Sequence, residues 1–183
     1  MIIILEGADL TGKTTLARHL STTLTFPIVR PWIHLAHPKP SIISVAKTLH
    51  QLFEHIQPDV IYDRFFFSEY VYAAVLGREN EYIPDLIQEW ENIPGIFFVY
   101  LTASNKAIQT RYQERGGDWY VSLTQILAIR DAYPDLLKIV PATIPACELD
   151  TSNLSPESLA EKVTSWLKEK HTPDLRKGQV EMH

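Results

Sequence analysis

The chain alternates short apolar runs with longer segments in which apolar residues recur every three or four positions. The short runs are rich in β-branched residues, as expected of strands buried on both faces of a sheet, and the longer segments have the period of amphipathic helices. Strands are predicted at 2–6, 26–30, 59–63, 95–101 and 146–150. Helices are predicted at 13–24, 41–56, 65–77, 83–91, 104–115, 121–133 and 156–170.

This alternation predicts an α/β fold, in which a five-stranded, mostly parallel sheet is flanked by helices on both faces. A length of 183 residues fits one domain, which we expect to span residues 1–170. The polar segment 171–183 is expected to form a mobile C-terminal tail. The helix at 121–133 is expected to end before Pro134, because the residue preceding a proline disfavours helical angles.

Composition and charge exclude several classes of function. Hydrophobic residues make up 45% and charged residues 21% of the chain, as in an ordinary globular protein. The net charge of −5 disfavours binding to a nucleic acid polymer. The N-terminus lacks the features of a signal peptide, and no apolar run reaches the roughly 20 residues that span a membrane. We therefore expect a cytoplasmic protein with no membrane partner.

The segment from Gly7 to Thr14 reads G-x-x-x-x-G-K-T. It follows a predicted buried strand and precedes a predicted helix, which is the context that a phosphate-binding loop requires. The glycines allow backbone N–H groups to point at phosphate oxygens, and the helix N-terminus favours an anion. Lys13 can bridge the β- and γ-phosphates of a nucleoside triphosphate, and the Thr14 hydroxyl can bind Mg²⁺.

The phosphate-binding loop alone is compatible with switches, motors and kinases. A GTP-dependent switch carries D-x-x-G after a strand and N/T-K-x-D to read guanine, and the sequence has neither in those contexts. Motor ATPases usually have longer chains. These differences favour a kinase that transfers a phosphoryl group to a small acceptor.

A second motif, Asp63-Arg64, follows the predicted strand at 59–63. Ligands of open α/β sheets bind beyond the carboxyl ends of the strands, so this pair is expected to share a crevice with Lys13 and Thr14. A carboxylate there can hold Mg²⁺ or accept the proton of the acceptor. An arginine there can bind a phosphate through two parallel contacts.

These two motifs resemble the thymidylate kinase family and, more broadly, the P-loop nucleoside and nucleotide kinases. LEGADLTGKTT (5–15) is similar to the family's E-G-x-D-x-x-G-K-T-T, and DRFFFSEYVY (63–72) is similar to its D-R-Y-x-x-S-x-x-A-Y. The resemblance implies a P-loop NTPase fold and places Asp9 against the sugar hydroxyl of the acceptor. In the second motif the matching residues are Asp63, Arg64, Ser68 and Tyr72, and Phe65 replaces a tyrosine.

Other segments show a weaker resemblance to the same family. RYQERGGD (111–118) resembles its arginine-bearing lid, which implies a lid at about 111–119 with Arg111 and Arg115 at lid positions. ELDTSNLSPESLAEKV (148–163) resembles the closing strand, loop and helix that border the adenine. Arg30 lies near the family's Arg-Glu-Pro segment. Relatives are commonly homodimers, and the predicted helix at 41–56 could supply such an interface.

The sequence departs from the family mainly around the base pocket of the acceptor. Nothing between 41 and 57 reproduces the family's LFAADR helix, Ala73 replaces a glutamine, and Trp119 replaces the second arginine of the lid. One of the three consecutive phenylalanines at 65–67 is expected to line the acceptor pocket, with Phe65 as the candidate, and the alternative is that all three lie in the core. The identity of the base and of the sugar therefore remains open.

The leading hypothesis is a kinase that uses Mg²⁺ and ATP to phosphorylate a nucleoside monophosphate such as dTMP. The alternatives are a kinase of a deoxynucleoside or of another small metabolite, and a non-catalytic ATP-binding module. The ATP-binding candidates are Gly7, Ala8, Asp9, Leu10, Thr11, Gly12, Lys13, Thr14 and Thr15. The acceptor-binding candidates are Asp9, Arg30, Arg64, Phe65, Ser68 and Tyr72. The catalytic candidates are Lys13, Asp63, Arg64, Arg111 and Arg115, with Thr14 and Asp63 as the metal ligands.

Overall fold

The computed structural model describes residues 1–30, 39–116 and 121–171. The strands are β1 (Ile2–Glu6), β2 (Ile28–Val29), β3 (Val60–Asp63), β4 (Ile96–Thr102) and β5 (Ala146–Asp150). The helices are α1 (Lys13–Leu24), α2 (Lys39–His55), α3 (Ser68–Val75), α4 (Ile83–Gln88), α5 (Asn105–Glu114), α6 (Leu123–Ile139) and α7 (Pro156–His171), and a 3₁₀ turn at Glu89–Asn92 follows α4. The predicted tail lies almost entirely outside the described residues.

The five strands form one sheet in the order β2-β3-β1-β4-β5, and every neighbouring pair is parallel. This arrangement confirms the predicted α/β fold. Leu5 at the end of β1 lies opposite Asp63 of β3, and Glu6 lies opposite Tyr100 of β4. The carboxyl ends of the central strands therefore meet at one edge of the sheet, where the phosphate-binding loop begins.

Every side chain of β1 is buried, because helices cover both faces of the sheet. Ile2 and Ile4 pack into the larger core, which contains residues of α2, α3, α4, α5 and α6. Ile3 and Leu5 point to the opposite face and pack into a smaller core beneath α1 and α7. The uninterrupted apolar run that predicted a buried parallel strand thus serves two cores at once.

Helix α6 is longer than the sequence predicts and continues through Pro134 to Ile139. The prediction that this helix ends before the proline is wrong. Pro134 is exposed, whereas Tyr133 and Leu136 on either side of it are fully buried. A proline removes one hydrogen bond of the helix, and the packing of these two side chains outweighs that loss.

Helix α2 is amphipathic, but it leaves part of its apolar surface uncovered. It buries Ile42, Ala46 and Phe53. Val45 and Leu52 remain 41% and 45% exposed, and Ile56 just after the helix is 56% exposed. The homodimer expected from the resemblance stays a prediction. Across the described ranges, no helix combines the length and the hydrophobicity needed to cross a membrane.

Candidate functional site

The phosphate-binding loop connects β1 to α1 at the carboxyl edge of the sheet. Gly7 has a φ of 146°, and a Cβ atom there would overlap the carbonyl oxygen of Leu101. Gly12 precedes α1 with a φ of 89°, in the left-handed region that favours glycine. Both fixed glycines of the motif are therefore required, the first for close packing on β4 and the second for the turn into the helix.

Lys13 folds back onto its own loop. Its Nζ donates hydrogen bonds to the carbonyl oxygens of Gly7 at 2.8 Å and Ala8 at 2.6 Å, and the Thr11 hydroxyl also donates to Ala8 at 2.9 Å. Burial lowers the pKa of Lys13 to about 8, and the nearby charge of Arg64 adds to this effect. An anion that enters the loop would supply the opposite charge that the backbone carbonyls lack.

Asp63 connects the phosphate-binding loop to the end of β3. The Thr14 hydroxyl donates to Asp63 Oδ2 at 2.6 Å, and Arg30 Nε donates to the same oxygen at 2.9 Å. Asp63 is buried, whereas the Arg30 side chain is 53% exposed. The structure thus brings the two predicted metal ligands, Thr14 and Asp63, into direct contact, with a cation beside them.

Asp9, Arg64 and Tyr72 form a second cluster in the crevice. Arg64 Nη2 lies 2.6 Å from Asp9 Oδ1, and the Tyr72 hydroxyl donates to Asp9 Oδ2 at 3.1 Å. The guanidinium carbon of Arg64 is 4.3 Å from the centre of the Tyr72 ring, a cation–π geometry. Three of the predicted acceptor-binding residues are therefore already bound to one another.

The charges of this cluster shift the pKa of Asp9. Burial alone would raise it, but the charges of Arg64 and Lys13 and the hydrogen bond from Tyr72 outweigh burial, so the pKa of Asp9 is lowered. The charge of Arg115 contributes in the same direction. Asp9 is consequently an ionised acceptor of hydrogen bonds in the neutral pH range.

Arg64 has an unusual backbone conformation, with a φ of 78°. A non-glycine residue in the left-handed region costs on the order of 1–3 kcal/mol and is common at functional sites. The Arg64 N–H donates to the carbonyl oxygen of Leu5 at 3.0 Å, which ties this residue to the end of β1. The turn separates Asp63, which faces Thr14, from Arg64, which faces Asp9.

Two predicted acceptor contacts, Phe65 and Ser68, make structural contacts in this conformation. Phe65 is fully buried and packs against Trp90 with ring centres 5.0 Å apart, so it has no exposed surface for a ligand in this conformation. Ser68 is also buried, and its hydroxyl donates to the carbonyl oxygen of Phe65 at 2.8 Å. All three consecutive phenylalanines are in the apolar core of this structure, as the alternative reading of these residues predicts.

Glu6 is the first residue of the phosphate-loop motif E-G-x-D-x-x-G-K-T-T, but it was not among the predicted site residues. It is fully buried, and Oε1 accepts hydrogen bonds from the backbone N–H groups of Phe65 at 2.9 Å and Ser68 at 3.3 Å. The Tyr133 hydroxyl lies 3.0 Å from Glu6 Oε2 and 2.9 Å from the Gly7 oxygen. Burial raises the pKa of Glu6 to about 7, against the opposing charges of Arg64 and Lys13. The signal in the sequence was a charged residue ending an otherwise apolar strand.

Arg111 connects α5 to two loops at the carboxyl edge. Its guanidinium donates to the Leu10 oxygen at 2.9 Å, to the Thr151 hydroxyl at 3.0 Å and to the Thr151 carbonyl oxygen at 2.6 Å. Thr151 is buried and also donates to the carbonyl oxygen of Thr11 at 3.0 Å. Arg111 therefore braces the phosphate-binding loop against the loop after β5. Arg115 directly follows α5, and its side chain is exposed.

Taken together, the crevice offers a loop for phosphates, a hydroxyl and a carboxylate in contact, and a separate arginine, carboxylate and phenol. The loop connects β1 to α1, and the hydroxyl and carboxylate in contact lie at the start of α1 and the end of β3. The third group combines Asp9 from the loop, Arg64 from the residue after β3 and Tyr72 from α3. Thr15, the last ATP-binding candidate, is exposed on α1. Two phosphate-bearing ligands with reacting ends near Asp63 would fit this division.

The sequence comparison identifies one clear relative. No protein-family model matches the chain. The chain is 30% identical over 175 residues to the SPbeta prophage-derived uncharacterized protein YorR of Bacillus subtilis (strain 168), an alignment that covers 88% of the chain and 96% of YorR. The crystal structure of YorR, in complex with phosphorylated GDP, superposes with a TM-score of 0.74 and 25% identity over 93% of the chain and 98% of YorR.

More distant solved structures share the fold. Deoxyadenosine kinase from M. mycoides, with the products dCMP and dCDP bound, has a TM-score of 0.63 at 17% identity and covers 93% of this chain and 100% of its own. Thymidylate kinase from Candida albicans has a TM-score of 0.58 at 17% identity, with coverages of 92% and 91%. The structural neighbours are P-loop kinases, and the chain has their P-loop NTPase fold, as the sequence predicted.

Proposed function

The chain belongs to the family of the B. subtilis YorR protein, and we propose that it is a Mg²⁺- and ATP-dependent kinase of a nucleoside monophosphate, similar to thymidylate kinase. The observation that carries this proposal is the hydrogen bond that the Thr14 hydroxyl donates to Asp63 Oδ2 at 2.6 Å. It joins the phosphate-binding loop to the second motif, so a donor phosphate on the loop would meet an acceptor held near Arg64. Transfer between two bound ligands needs such a meeting point.

On the donor side, the loop Gly7–Thr14 would hold the triphosphate. Lys13 would exchange its backbone partners for the β- and γ-phosphates. Because the YorR crystal structure contains a phosphorylated GDP, a guanine nucleotide is a reasonable second donor to test beside ATP. Arg111 braces the loop after β5, which borders the donor base by resemblance, and we assign it to the donor side.

Mg²⁺ fits the residues that are present. It prefers oxygen ligands and is usually held by one or two carboxylates together with substrate phosphates. The Thr14 hydroxyl and the Asp63 carboxylate supply such oxygens. Among the described residues, no group of three or more His, Cys, Asp or Glu side chains could hold a metal alone, so nucleotide phosphates would complete its shell. When bound, Mg²⁺ would neutralise charge on the transferred group.

On the acceptor side, Arg64 would bind the phosphate of the monophosphate, and Asp9 would accept a hydrogen bond from its sugar. Tyr72 holds both side chains, through its ring and its hydroxyl. Arg30 lies beside Asp63 and would stabilise charge where the two phosphates meet. We propose dTMP as the first acceptor to test, on the resemblance of the second motif.

A lid at about 111–119 is part of this proposal, and the structure describes its residues 111–116. Closure would exclude water, which would otherwise accept the phosphoryl group. Arg115 is the lid residue that we expect to approach the transferred phosphate. Its charge already acts on Asp9, which supports a position near the crevice.

A deoxynucleoside kinase is the second candidate, and one observation favours it. Arg64 is paired with Asp9 at 2.6 Å, and a carboxylate partner reduces the attraction of an arginine for a second anion. A neutral nucleoside would not need to compete with Asp9 for this guanidinium. The two candidates therefore differ in whether the Asp9–Arg64 pair opens when the acceptor binds.

The test is a panel of nucleosides and their monophosphates, including thymidine and dTMP, with Mg²⁺ and either ATP or GTP. Release of the nucleoside diphosphate measures transfer, and the Lys13→Ala variant controls for contaminating kinases. Preference for a monophosphate supports the proposal, and preference for the parent nucleoside supports the second candidate. Tight nucleotide binding without transfer to any acceptor would identify a non-catalytic nucleotide-binding module and refute both.

A further inference from the structure

We propose that Glu6 is a positioning residue, which holds Arg64 in the orientation that binds the acceptor. The role of Arg64 in this inference rests on the proposed function. Glu6 ends β1, and its carboxylate reaches across to the two backbone N–H groups that follow Arg64 in the chain. No motif assigns this task to Glu6.

The hydrogen bonds that Glu6 Oε1 accepts support this role. This one oxygen accepts from the Phe65 N–H at 2.9 Å and the Ser68 N–H at 3.3 Å, and both groups are buried. The Phe65 amide belongs to the peptide directly after Arg64, and Ser68 begins α3. The two hydrogen bonds to Glu6 Oε1 therefore fix the chain on the C-terminal side of Arg64. The hydrogen bond from the Arg64 N–H to the Leu5 carbonyl oxygen fixes the N-terminal side.

Arg64 needs this support because its φ of 78° is unfavourable for a residue with a side chain. Without an acceptor at Glu6, the buried Phe65 N–H would lose its partner and the Ser68 N–H would keep only the Phe65 carbonyl oxygen at 3.3 Å, so the backbone would rotate to recover a partner for Phe65. Rotation about Arg64 would move its guanidinium away from the Tyr72 ring and from Asp9. The left-handed turn is thus coupled to the direction of the side chain that it carries.

The second oxygen of Glu6 ties the same residue to the phosphate-binding loop. Oε2 lies 3.0 Å from the Tyr133 hydroxyl, which also lies 2.9 Å from the Gly7 oxygen. Both carboxylate oxygens are therefore engaged by protein donors, and Glu6 has no exposed surface. A direct contact with substrate is closed to it, so its influence must pass through the residues that it holds.

The first test measures the Arg64 side chain without any substrate. A guanidinium above the Tyr72 ring should give N–H resonances shifted upfield by the ring current, and Arg64→Lys assigns them by their loss. Glu6→Asp and Glu6→Ala should abolish the shift, because the shortened side chains cannot reach Phe65. Glu6→Gln keeps one acceptor oxygen for the two amides and should retain it. Glu69→Ala removes another buried glutamate and should leave the shift in place.

The second test measures kinetics in the same variants. We expect Glu6→Asp to raise the acceptor KM by about fivefold or more with a much smaller change in donor KM, and Glu6→Gln to restore it. In an Arg64→Ala background, Glu6→Asp should have little further effect on the acceptor KM, because substitutions that act through the same residue are not additive. The kinetics of Glu6→Ala are interpreted only if this variant folds. If it does not fold, the Glu6→Asp variant provides the test.

An unchanged Arg64 resonance in the folded Glu6→Asp variant would overturn the inference. So would a Glu6→Gln variant that keeps the resonance but loses turnover by orders of magnitude, since Glu6 would then act on the reaction itself. If instead Arg64→Ala leaves the acceptor KM unchanged, the proposed function of Arg64 is wrong. The substrate-free resonance still decides whether Glu6 holds the side chain.

Discussion

In the cluster of Asp9, Arg64 and Tyr72, replacement of Arg64 by alanine removes two of the three contacts, the ion pair with Asp9 and the cation–π contact with the Tyr72 ring. The Arg64 side chain is 15% exposed and that of Asp9 is 25% exposed, so water screens their ion pair only in part. The change takes away the cation above the Tyr72 ring and leaves Asp9 with the Tyr72 hydroxyl as its remaining partner in the cluster. Since the charge of Arg64 is the largest influence that lowers the pKa of Asp9, that pKa should rise in the variant.

The effect on the acceptor follows from the strength of one charged contact. Hydrogen bonds to charged groups contribute about 1.5–3 kcal/mol, and about 1.4 kcal/mol is a factor of ten. Loss of Arg64 should therefore raise the KM for a monophosphate by roughly 10- to 150-fold. The KM for ATP should change much less, because the phosphate-binding loop holds the donor.

The assay is release of ADP at fixed saturating ATP and varied acceptor, with the nucleoside and its monophosphate measured side by side. Arg78→Ala is the matched control. Arg78 is also largely buried and pairs with a glutamate, Glu69, at 2.5 Å. The Arg78→Ala variant should lower the free energy of unfolding about as much as Arg64→Ala does, and it should leave the acceptor KM near that of the wild type.

An unchanged KM for the monophosphate in a folded Arg64→Ala variant would contradict the assignment of Arg64 to the acceptor phosphate. A nucleoside that is a better substrate than its monophosphate would point the same way. Both results together would establish that Arg64 serves Asp9 alone, and the deoxynucleoside kinase would become the favoured function.

Three further changes and one protection experiment test other parts of the site. Lys13→Ala should lower turnover by orders of magnitude with an unchanged circular dichroism spectrum, because the transition state needs this charge. Asp63→Asn should lower turnover steeply in Mg²⁺ titrations while the acceptor KM is nearly kept. Because burial raises the pKa of Glu6 from 4.5 to about 7, the folded chain keeps a proton between these two pH values that the unfolded chain releases. The free energy of unfolding should therefore fall by on the order of 3 kcal/mol as the pH rises from 4.5 to about 7. Glu6→Gln should remove this pH dependence in denaturant titrations. Residues 112–119 should resist protease only when ATP and acceptor are both present, and equal cleavage in all states would argue against a lid.

Periodicity predicted the elements whose burial is uniform or one-sided. The run Ile2–Glu6 and the helix Lys13–Leu24 have the bounds that the pattern predicts, because burial is uniform along the strand, one-sided along the helix, and each element has a glycine at one border. At Pro134 the sequence pattern predicts the wrong helix end. Local chemistry favoured a helix end there, whereas the burial of Tyr133 and Leu136 comes from contacts that only the folded chain possesses.

The candidate site divides in the same way. The contact between Thr14 and Asp63 was predictable, because each belongs to a local motif at the carboxyl edge of the sheet, and their roles stay predictions. The burial of Phe65 was not, since three adjacent aromatic residues can face a pocket or a core equally well. Glu6 and Tyr133 are 127 positions apart, and no local pattern joins them. Long-range contacts decided which polar residues support the site.

The charges of the crevice explain how a chain of net charge −5 keeps cations ready for phosphates. Arg30 is paired with Asp63, Arg64 is paired with Asp9, and Lys13 is bound to backbone carbonyls. A buried cation without a partner is costly, so Lys13 and Arg64 are held by protein groups until a ligand arrives, and the half-exposed Arg30 is held by the buried Asp63. Binding then exchanges one partner for another rather than exposing a charge. Phosphate affinity should therefore depend on how easily Asp9 and Asp63 release their arginines, which makes the two carboxylates as important for selectivity as the cations themselves.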